Sequence, residues 1–298
     1  MSTLVIGTGY VGTELVAALR SAGVDVLQTS RTPGCADRTV AHGAALDALL
    51  VEVPFDQVVV VGQLASPDID WVLERIDGSR WLVLSSQQVA SAVTAPGTVA
   101  ALAREQVAHA RNACVLRPTM VYGRGRDQNI TRMIRLIQRM RMGIVPGFGA
   151  QLTQPLHVDD LIKLVMCHIV TPRGGLYPIG GSEALPVREL VGTVAEIIGI
   201  RSRPVELPSV VMRVGILVAP LAGVRSDQLK RLTESKTADI TLARDAFGWE
   251  PAPLGIRLEQ AVRELRAAAP ADAFRFRRTR RFQGVRATIS ANFFKGVM

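Results

Sequence analysis

The chain has 298 residues, of which 48% are hydrophobic and 20% charged, and its net charge is +9. This composition is typical of a globular protein and excludes an intrinsically disordered chain. The length accommodates one large domain together with a smaller second region. The three cysteines are far apart and form no C-x-x-C pair, which predicts a reducing cytoplasmic location and no metal site.

The N-terminal residues carry the strongest motif in the chain. An apolar run at 3–7 enters Gly7-Thr8-Gly9-Tyr10-Val11-Gly12, and apolar residues at helical spacing follow. In a G-x-G-x-x-G loop between a strand and a helix, the first glycine allows a tight turn and the second lets the backbone approach a pyrophosphate. The third lets the helix pack close to the strand. We therefore predict that a dinucleotide is bound by Gly7, Gly9, Tyr10, Val11 and Gly12. The alternative is a glycine turn that binds nothing. Because the chain enters this strand at once, no signal peptide is expected.

The end of the second predicted strand, at residues 24–29, indicates the type of dinucleotide. Chains that prefer NAD usually place an acid there, and this chain has Thr29-Ser30-Arg31 instead. Arg31 presents forked donors that suit a 2′-phosphate, and Ser30 can donate a hydrogen bond to it. The sequence therefore favours NADP(H) over NAD(H). The alternative for Arg31 is a solvated loop cation.

The first half of the chain alternates short apolar strands with helical patterns. Strands are predicted at 3–7, 24–29, 57–62, 81–85 and 113–117, and helices include 44–51 and 99–111. This order predicts an α/β protein with a Rossmann-type, doubly wound parallel sheet and helices on both faces. Its ligand crevice should lie beyond the carboxyl ends of the strands.

The second half of the chain is predicted to be more helical. One helix starts at Asp159 and Asp160, which we expect to serve as capping acids. A second lies between Pro186 and Gly199, and the last is amphipathic; its apolar face consists of Leu258, Ala261, Val262 and Leu265. We predict a dinucleotide-binding Rossmann domain at 1–170, a small, mostly helical substrate region at 171–269 and a basic tail at 270–298.

Two segments raise the question of partners. Residues 210–224 are apolar but too short to span a bilayer, which predicts a buried or interface helix, with a membrane-surface segment as the alternative. The tail at 270–298 carries +6 of the net charge and interleaves phenylalanine with arginine at 274–282. Such a run is a candidate for contact with anionic lipid or nucleic acid, and the alternative is a solvated terminus.

Several further motifs lie in the order and spacing of a known family. They are Leu84-Ser85-Ser86, Leu116-Arg117-Pro118-Thr119-Met120-Val121-Tyr122-Gly123, Leu156-His157-Val158-Asp159-Asp160-Leu161 and Phe247-Gly248-Trp249-Glu250-Pro251. Together with the glycine loop they resemble the extended short-chain dehydrogenases/reductases, the group of nucleotide-sugar epimerases and dehydratases, over residues 1–266. The resemblance implies that Ser86 binds a substrate oxygen and that Pro118 flanks the nicotinamide.

The chain also departs from that family. Its members carry Y-x-x-x-K on the helix after the serine strand, where Tyr transfers the proton and Lys lowers the pKa of that Tyr. If Glu105 matches the family's usual Glu, the two positions are occupied by Gly97 and Ala101. The pattern resembles the atypical branch of the family, whose members often bind NAD(P) without the full catalytic set.

Two functional hypotheses follow. The first is an NADP(H)-dependent reductase or epimerase-like oxidoreductase that acts on a hydroxyl or keto group, for instance of a sugar derivative. Ser86 would bind the oxygen and either Tyr122 or His157 would supply the proton. The second is a non-catalytic NADP(H)-binding regulatory or assembly protein. A small-molecule substrate and a homodimer are the expected partners of the enzyme.

Overall fold

The computed structural model describes residues 1–40, 43–62, 64–91, 96–146, 149–201, 204–207 and 234–268. The apolar segment at 210–224 and the tail at 270–298 therefore lie outside the described residues. Within the described ranges, no helix is both long and apolar enough to cross a membrane.

A seven-stranded sheet, parallel throughout, has the strand order β11-β6-β5-β4-β1-β2-β3. Its strands are β1 Ser2–Ile6, β2 Asp25–Ser30, β3 Arg38–Thr39, β4 Gln57–Val60, β5 Trp81–Leu84, β6 Cys114–Pro118 and β11 Gly175–Ile179. Every residue of β4 and β5 is buried. Continuous apolar runs of this kind occur where helices cover both faces of a parallel sheet. The predicted Rossmann-type α/β fold is confirmed.

The remaining strands are short: β7 Val121–Tyr122, β8 Ile144–Pro146, β9 Leu152–Thr153, β10 Leu156–His157, β12 Leu185–Pro186 and β13 Val205–Leu207. The α-helices of the described residues are α1 Tyr10–Ser21, α2 Gly43–Glu52, α3 Asp70–Leu73, α4 Pro96–Ala110, α5 Ile130–Met140, α6 Val158–Val170, α7 Val187–Ile197, α8 Thr241–Phe247 and α9 Leu254–Ala268. The predicted apolar face of the last helix is confirmed, since Leu258, Ala261, Val262 and Leu265 are all buried.

The chain divides into two compact units, and each is built from three segments. The first comprises Met1–Met120, Gln154–Ser182 and Thr237–Ala252 and holds the whole seven-stranded sheet. The second comprises the described residues of Val121–Thr153, Glu183–Lys236 and Pro253–Met298, with α5, α7, α9 and the two-stranded pairs β9–β12 and β8–β13. The predicted domain boundaries at 170 and 269 stay a prediction.

Candidate functional site

The glycine loop between β1 and α1 needs glycine at its first and last positions for steric reasons. Gly7 has φ +126°, and a Cβ there would lie 3.0 Å from the carbonyl oxygen of Val61. A Cβ on Gly12 would lie 2.6 Å from the carbonyl oxygen of Gly7, a distance that real Cβ atoms do not reach. The start of α1 therefore lies against its own loop, as the motif predicts.

Gly9 has the opposite environment. It is the N-cap of α1, and apart from its chain neighbours and the helix's own backbone no heavy atom of the described residues lies within 4 Å of the position where a Cβ would stand. No side chain of the described residues caps this helix end, which therefore presents backbone N–H groups and the positive end of its dipole. Open space beside an uncapped helix N-terminus suits a pyrophosphate, so the residues of this loop fit a dinucleotide. Tyr10 and Val11, both half-buried, form the first turn of α1.

Gln28 of β2 fixes the loop from the neighbouring strand. Its side-chain amide donates to the Gly7 carbonyl oxygen at 2.9 Å, and its backbone N–H donates to Asp37 Oδ2 at 2.8 Å. The Gln28 side chain lies at a buried position of the strand, where a polar group requires a partner. Gln28 was not among the predicted site residues, although a glutamine within an apolar strand was the available signal.

The two residues predicted to contact the 2′ position lie at the end of β2. Ser30 Oγ accepts a hydrogen bond from the Thr32 backbone N–H at 3.0 Å. Arg31 forms an ion pair with Asp68, and both side chains are 56% exposed. The carboxylate beside Arg31 thus comes from the loop after β4, and the sequence alone did not identify it.

Ser86 is the second residue after β5 and the N-cap of the 3-10 turn Gln87–Ala90, where its Oγ accepts from the Gln88 backbone N–H at 3.3 Å. The preceding residue, Ser85, donates its hydroxyl to the carboxylate of Glu105 in α4. Glu105 also pairs with Arg117 of β6 and is fully buried. The hydroxyl groups of both residues that follow β5 are therefore held by defined hydrogen bonds.

Helix α4 shows what surrounds the two positions assigned to the family's Tyr and Lys. Gly97, Ala101 and Glu105 follow one another at intervals of four residues and so share a face of the helix. Gly97 is exposed, with Ala65 Cβ 3.6 Å from its would-be Cβ, whereas Ala101 is buried. Neither side chain can exchange a proton.

Pro118 ends β6 and is buried. The next residue, Thr119, is held on both sides: its backbone N–H donates to Ile179 O at 2.9 Å, and its hydroxyl donates to Gln154 O. The carboxyl ends of β5 and β6 lie at the same edge of the parallel sheet. The structure therefore brings Pro118 and Ser86 to neighbouring strand ends.

His157 caps helix α6, a role that was predicted for two other residues. Asp159 and Asp160 were expected to cap α6, and this expectation is wrong. Both acids lie in the first turn, and the N-cap is His157, whose Nδ1 accepts from the Asp159 backbone N–H at 3.2 Å. Because Nδ1 is an acceptor, the neutral imidazole carries its proton on Nε2. Trp249 Nε1 donates to the Asp160 carbonyl oxygen at 2.8 Å, which joins the Gly-Trp motif to the same helix.

Tyr122 belongs to β7 in the second compact unit and is fully buried. The loop after it is organised by buried Asp127, which accepts from the backbone N–H groups of Gly123 at 3.3 Å and Thr131 at 3.1 Å. Asp127 accepts from the Thr131 hydroxyl as well. These contacts give the loop after Tyr122 a fixed shape within this unit.

Comparison with known proteins yields similarity at the level of structure. No family model matches the chain, and no curated protein sequence matches it. Similar solved structures include MoeE5 in complex with UDP-glucose and NAD, with a TM-score of 0.65 and 22% identity over 90% of this chain and 99% of that one. Another is the UDP-glucose 4-epimerase of Thermotoga maritima with UDP-glucose, with a TM-score of 0.69 and 17% identity over 90% and 99%. A third is the dTDP-glucose 4,6-dehydratase of Bacillus anthracis in complex with NAD, with a TM-score of 0.70 and 15% identity over 90% and 97%.

The similar structures include a UDP-glucose 4-epimerase and a dTDP-glucose 4,6-dehydratase, the kinds of enzyme that the motifs resemble, so the fold implied by that resemblance is confirmed. At identities between 15% and 22% this likeness shows the fold. The chain has the Rossmann-type fold of these nucleotide-sugar enzymes, and its cofactor, substrate and chemistry require arguments from its own residues.

Proposed function

We propose that the chain binds NADP(H) or NAD(H) at the loop of residues 7–12. The observation that carries this proposal is the contrast between two glycines. Gly12 is pressed against the Gly7 carbonyl oxygen, whereas Gly9 faces open space at an uncapped helix N-terminus. A purely structural turn would explain the tight contacts but not the open space at the position where the motif places a pyrophosphate. Arg31 and Ser30 at the end of β2 support a preference for NADP(H).

The first candidate activity is oxidation or reduction at a hydroxyl or keto carbon of a sugar derivative, in the manner of a reductase or epimerase. The bound dinucleotide supplies a hydride donor or acceptor. Ser86 Oγ would hold the substrate oxygen by a hydrogen bond, and the fixed turn at Pro118 would shape the neighbouring wall of the crevice. The proton would come from His157 Nε2–H or the Tyr122 hydroxyl. The enzymes with similar structures were solved with UDP-glucose or NAD, which supports a nucleotide-sugar substrate.

The second candidate is a protein that binds the dinucleotide without performing chemistry and serves in regulation or assembly. Gly97 and Ala101 favour it, because the positions assigned to the family's proton-transferring pair hold no ionisable group. His157 also favours it, because its imidazole already caps α6. A cytoplasmic location, a homodimer and contact of the tail with anionic lipid or nucleic acid stay predictions from the sequence.

One experiment separates the two candidates. The purified full chain is titrated with NADPH, NADH, NADP⁺ and NAD⁺ by calorimetry, and NADPH oxidation is then followed with UDP-4-keto sugars. Binding together with turnover that falls in Ser86→Ala supports the enzyme. Binding without turnover supports the non-catalytic protein. Failure of a folded chain to bind any of the four dinucleotides would reject the proposed function altogether.

A further inference from the structure

The ion pair between Arg31 and Asp68 joins two loops that are distant in sequence. Arg31 follows β2, and Asp68 lies in the loop after β4, within the 3-10 turn Pro67–Ile69. In the sheet, β2 and β4 flank β1 on its two sides, so their ends are about 10 Å apart at the usual strand spacing. The pair therefore reaches across the carboxyl end of β1, from which the glycine loop starts.

The loop that carries Asp68 is anchored on both sides of that residue. Ser66 Oγ donates to Asp68 Oδ2 at 3.1 Å. Arg104 of α4 donates to the Leu64 carbonyl oxygen at 2.9 Å and pairs with Asp70 at 2.6 Å between Nε and Oδ1. Asp68 is thus held near Arg31 by the fold, while 56% of its side chain stays open to solvent and to a ligand.

We propose that Asp68 is a specificity-determining residue for the dinucleotide, an inference that rests on the proposed cofactor site. Arg31 lies where a Rossmann fold binds the ribose 2′ position. A 2′-phosphate bound by Arg31 would lie close to the Asp68 carboxylate, and the like charges would repel one another. A 2′-hydroxyl can instead donate a hydrogen bond to that carboxylate. Arg31 therefore favours NADP(H). Asp68 reduces the difference in affinity between NADP(H) and NAD(H), so that both dinucleotides bind.

Exchange of the ion pair for cofactor contacts costs little. An exposed arginine–carboxylate pair contributes little to stability, because water and salt screen the two charges. Arg31 can therefore turn from Asp68 to a phosphate, and Asp68 can turn to a ribose hydroxyl, while the anchored loops stay in place. The two opposite charges that discriminate between the dinucleotides come from two separate loops of this chain. A NAD-selective chain has a single acid after β2 instead.

The test is a set of fluorescence titrations of the full chain with NADPH and NADH, in low and high salt. Asp68→Asn and Asp68→Ala should shift the ratio of the two dissociation constants toward NADPH by about three- to tenfold, the range expected for one partly exposed charge contact. Arg31→Gln should shift the ratio toward NADH. The shift in Asp68→Asn should shrink at high salt, because salt screens exposed charges. Glu250→Gln removes an even more exposed partner of an arginine, Arg244, at the turn after α8 and should leave the ratio unchanged.

The outcomes distinguish this inference from the proposed function. If the unmodified chain binds both dinucleotides and the two Asp68 variants leave the ratio unchanged, the inference is wrong and the cofactor site stands. If a folded, unmodified chain binds neither dinucleotide, both fail together. A thermal melt of each variant confirms that it is folded, which we expect because the Asp68 side chain is mostly exposed.

Discussion

Glu105 of α4 and Arg117 of β6 form an ion pair whose carboxylate is completely buried, while the arginine side chain is 16% exposed. The guanidinium reaches both carboxylate oxygens, with Nε 3.2 Å from Oε2. Ser85 donates its hydroxyl to the same carboxylate. A single buried acid therefore connects α4 to the carboxyl ends of β5 and β6, where the candidate residues Ser86 and Pro118 lie.

Replacement of Glu105 by Gln should lower the free energy of unfolding by about 3–5 kcal/mol, because it leaves the Arg117 charge without its buried partner. The double variant Glu105→Met with Arg117→Leu should lose less, since it removes both charges. Urea unfolding measures the free energy of unfolding of the unmodified chain, of Glu105→Gln and of the double variant. As a control, Glu52→Gln removes the exposed partner of Arg38 and should change stability little. Equal losses in Glu105→Gln and Glu52→Gln would contradict this account of the buried pair.

His168 should make the folded state sensitive to acid. Its side chain is buried, neither ring nitrogen has a hydrogen-bond partner among the described residues, and burial lowers the pKa of the imidazole to about 4. The unfolded chain binds the proton near pH 6.5 and the folded chain only near pH 4. The contribution of the neutral His168 side chain to the free energy of unfolding is therefore fully present above pH 6.5. This contribution is lost as the pH falls toward 4, by about 3 kcal/mol in total.

Urea unfolding of the unmodified chain and of His168→Leu over this pH range tests the expectation. The leucine variant retains an apolar contact with Phe247, whose ring centroid lies 6.1 Å from that of His168. The difference in unfolding free energy between the two proteins should change with pH between 6.5 and 4 and be constant above 6.5. A difference that is independent of pH would show that the imidazole is protonated equally in both states.

Gly9 and Gly12 should respond to substitution in opposite ways. Gly9→Val should leave the melting temperature nearly unchanged and abolish dinucleotide binding, because its side chain would fill the open space beside α1. Gly12→Ala should destabilise the fold, because the new methyl group would meet the Gly7 carbonyl oxygen at 2.6 Å. Gly255→Val is the matched control for Gly9, since Gly255 also faces open space but lies in α9. Dinucleotide binding that survives in Gly9→Val would mean that the loop has only a structural role.

The local features of the chain were predictable because their causes are local. Apolar runs mark five of the seven sheet strands to within two residues, since buried parallel strands require them, whereas β3 and β11 were not predicted. Spacing of apolar residues marks α9, and the glycine loop is identified by a motif whose steric reasons act within six residues. The cap of α6 shows the limit of local rules. Preferences for N-caps favour Asp over His, and the structure uses His157.

The contacts that organise the candidate site were not predictable in the same way. Gln28 and Gly7 are 21 residues apart, Arg31 and Asp68 are 37 apart, and Glu105 and Arg117 are 12 apart. The two residues of such a pair come into contact only after the order of the strands is fixed. No spacing rule in the sequence predicts these contacts. In the sequence, Asp68 is one acid among several in a polar loop. Only the structure shows that it contacts Arg31.

The last prediction concerns the positions assigned to the missing proton-transfer pair. A positioned general acid or base contributes about 10²–10⁴-fold to the rate, so the unmodified chain should turn over standard nucleotide sugars very slowly. The double substitution Gly97→Tyr with Ala101→Lys places a phenol and an ammonium on the α4 face that carries Glu105. Gly97 offers room, because it is exposed and Ala65 Cβ stands 3.6 Å from the new Cβ. The measurement is NADPH oxidation with a keto sugar nucleotide.

Gln106→Tyr with Ala110→Lys is the matched control, because it adds the same two groups at the same spacing to an exposed face of α4. A rise in rate only in the variant at positions 97 and 101 would show that Ser86 and the remaining residues form a competent site from which the proton-transfer pair has been lost. An equal rate in both variants would favour the non-catalytic protein. Rapid turnover by the unmodified chain would contradict the assignment of Gly97 and Ala101. The proton would then come from Tyr122 or His157, and Tyr122→Phe and His157→Asn would identify which, since asparagine retains an acceptor for the cap of α6.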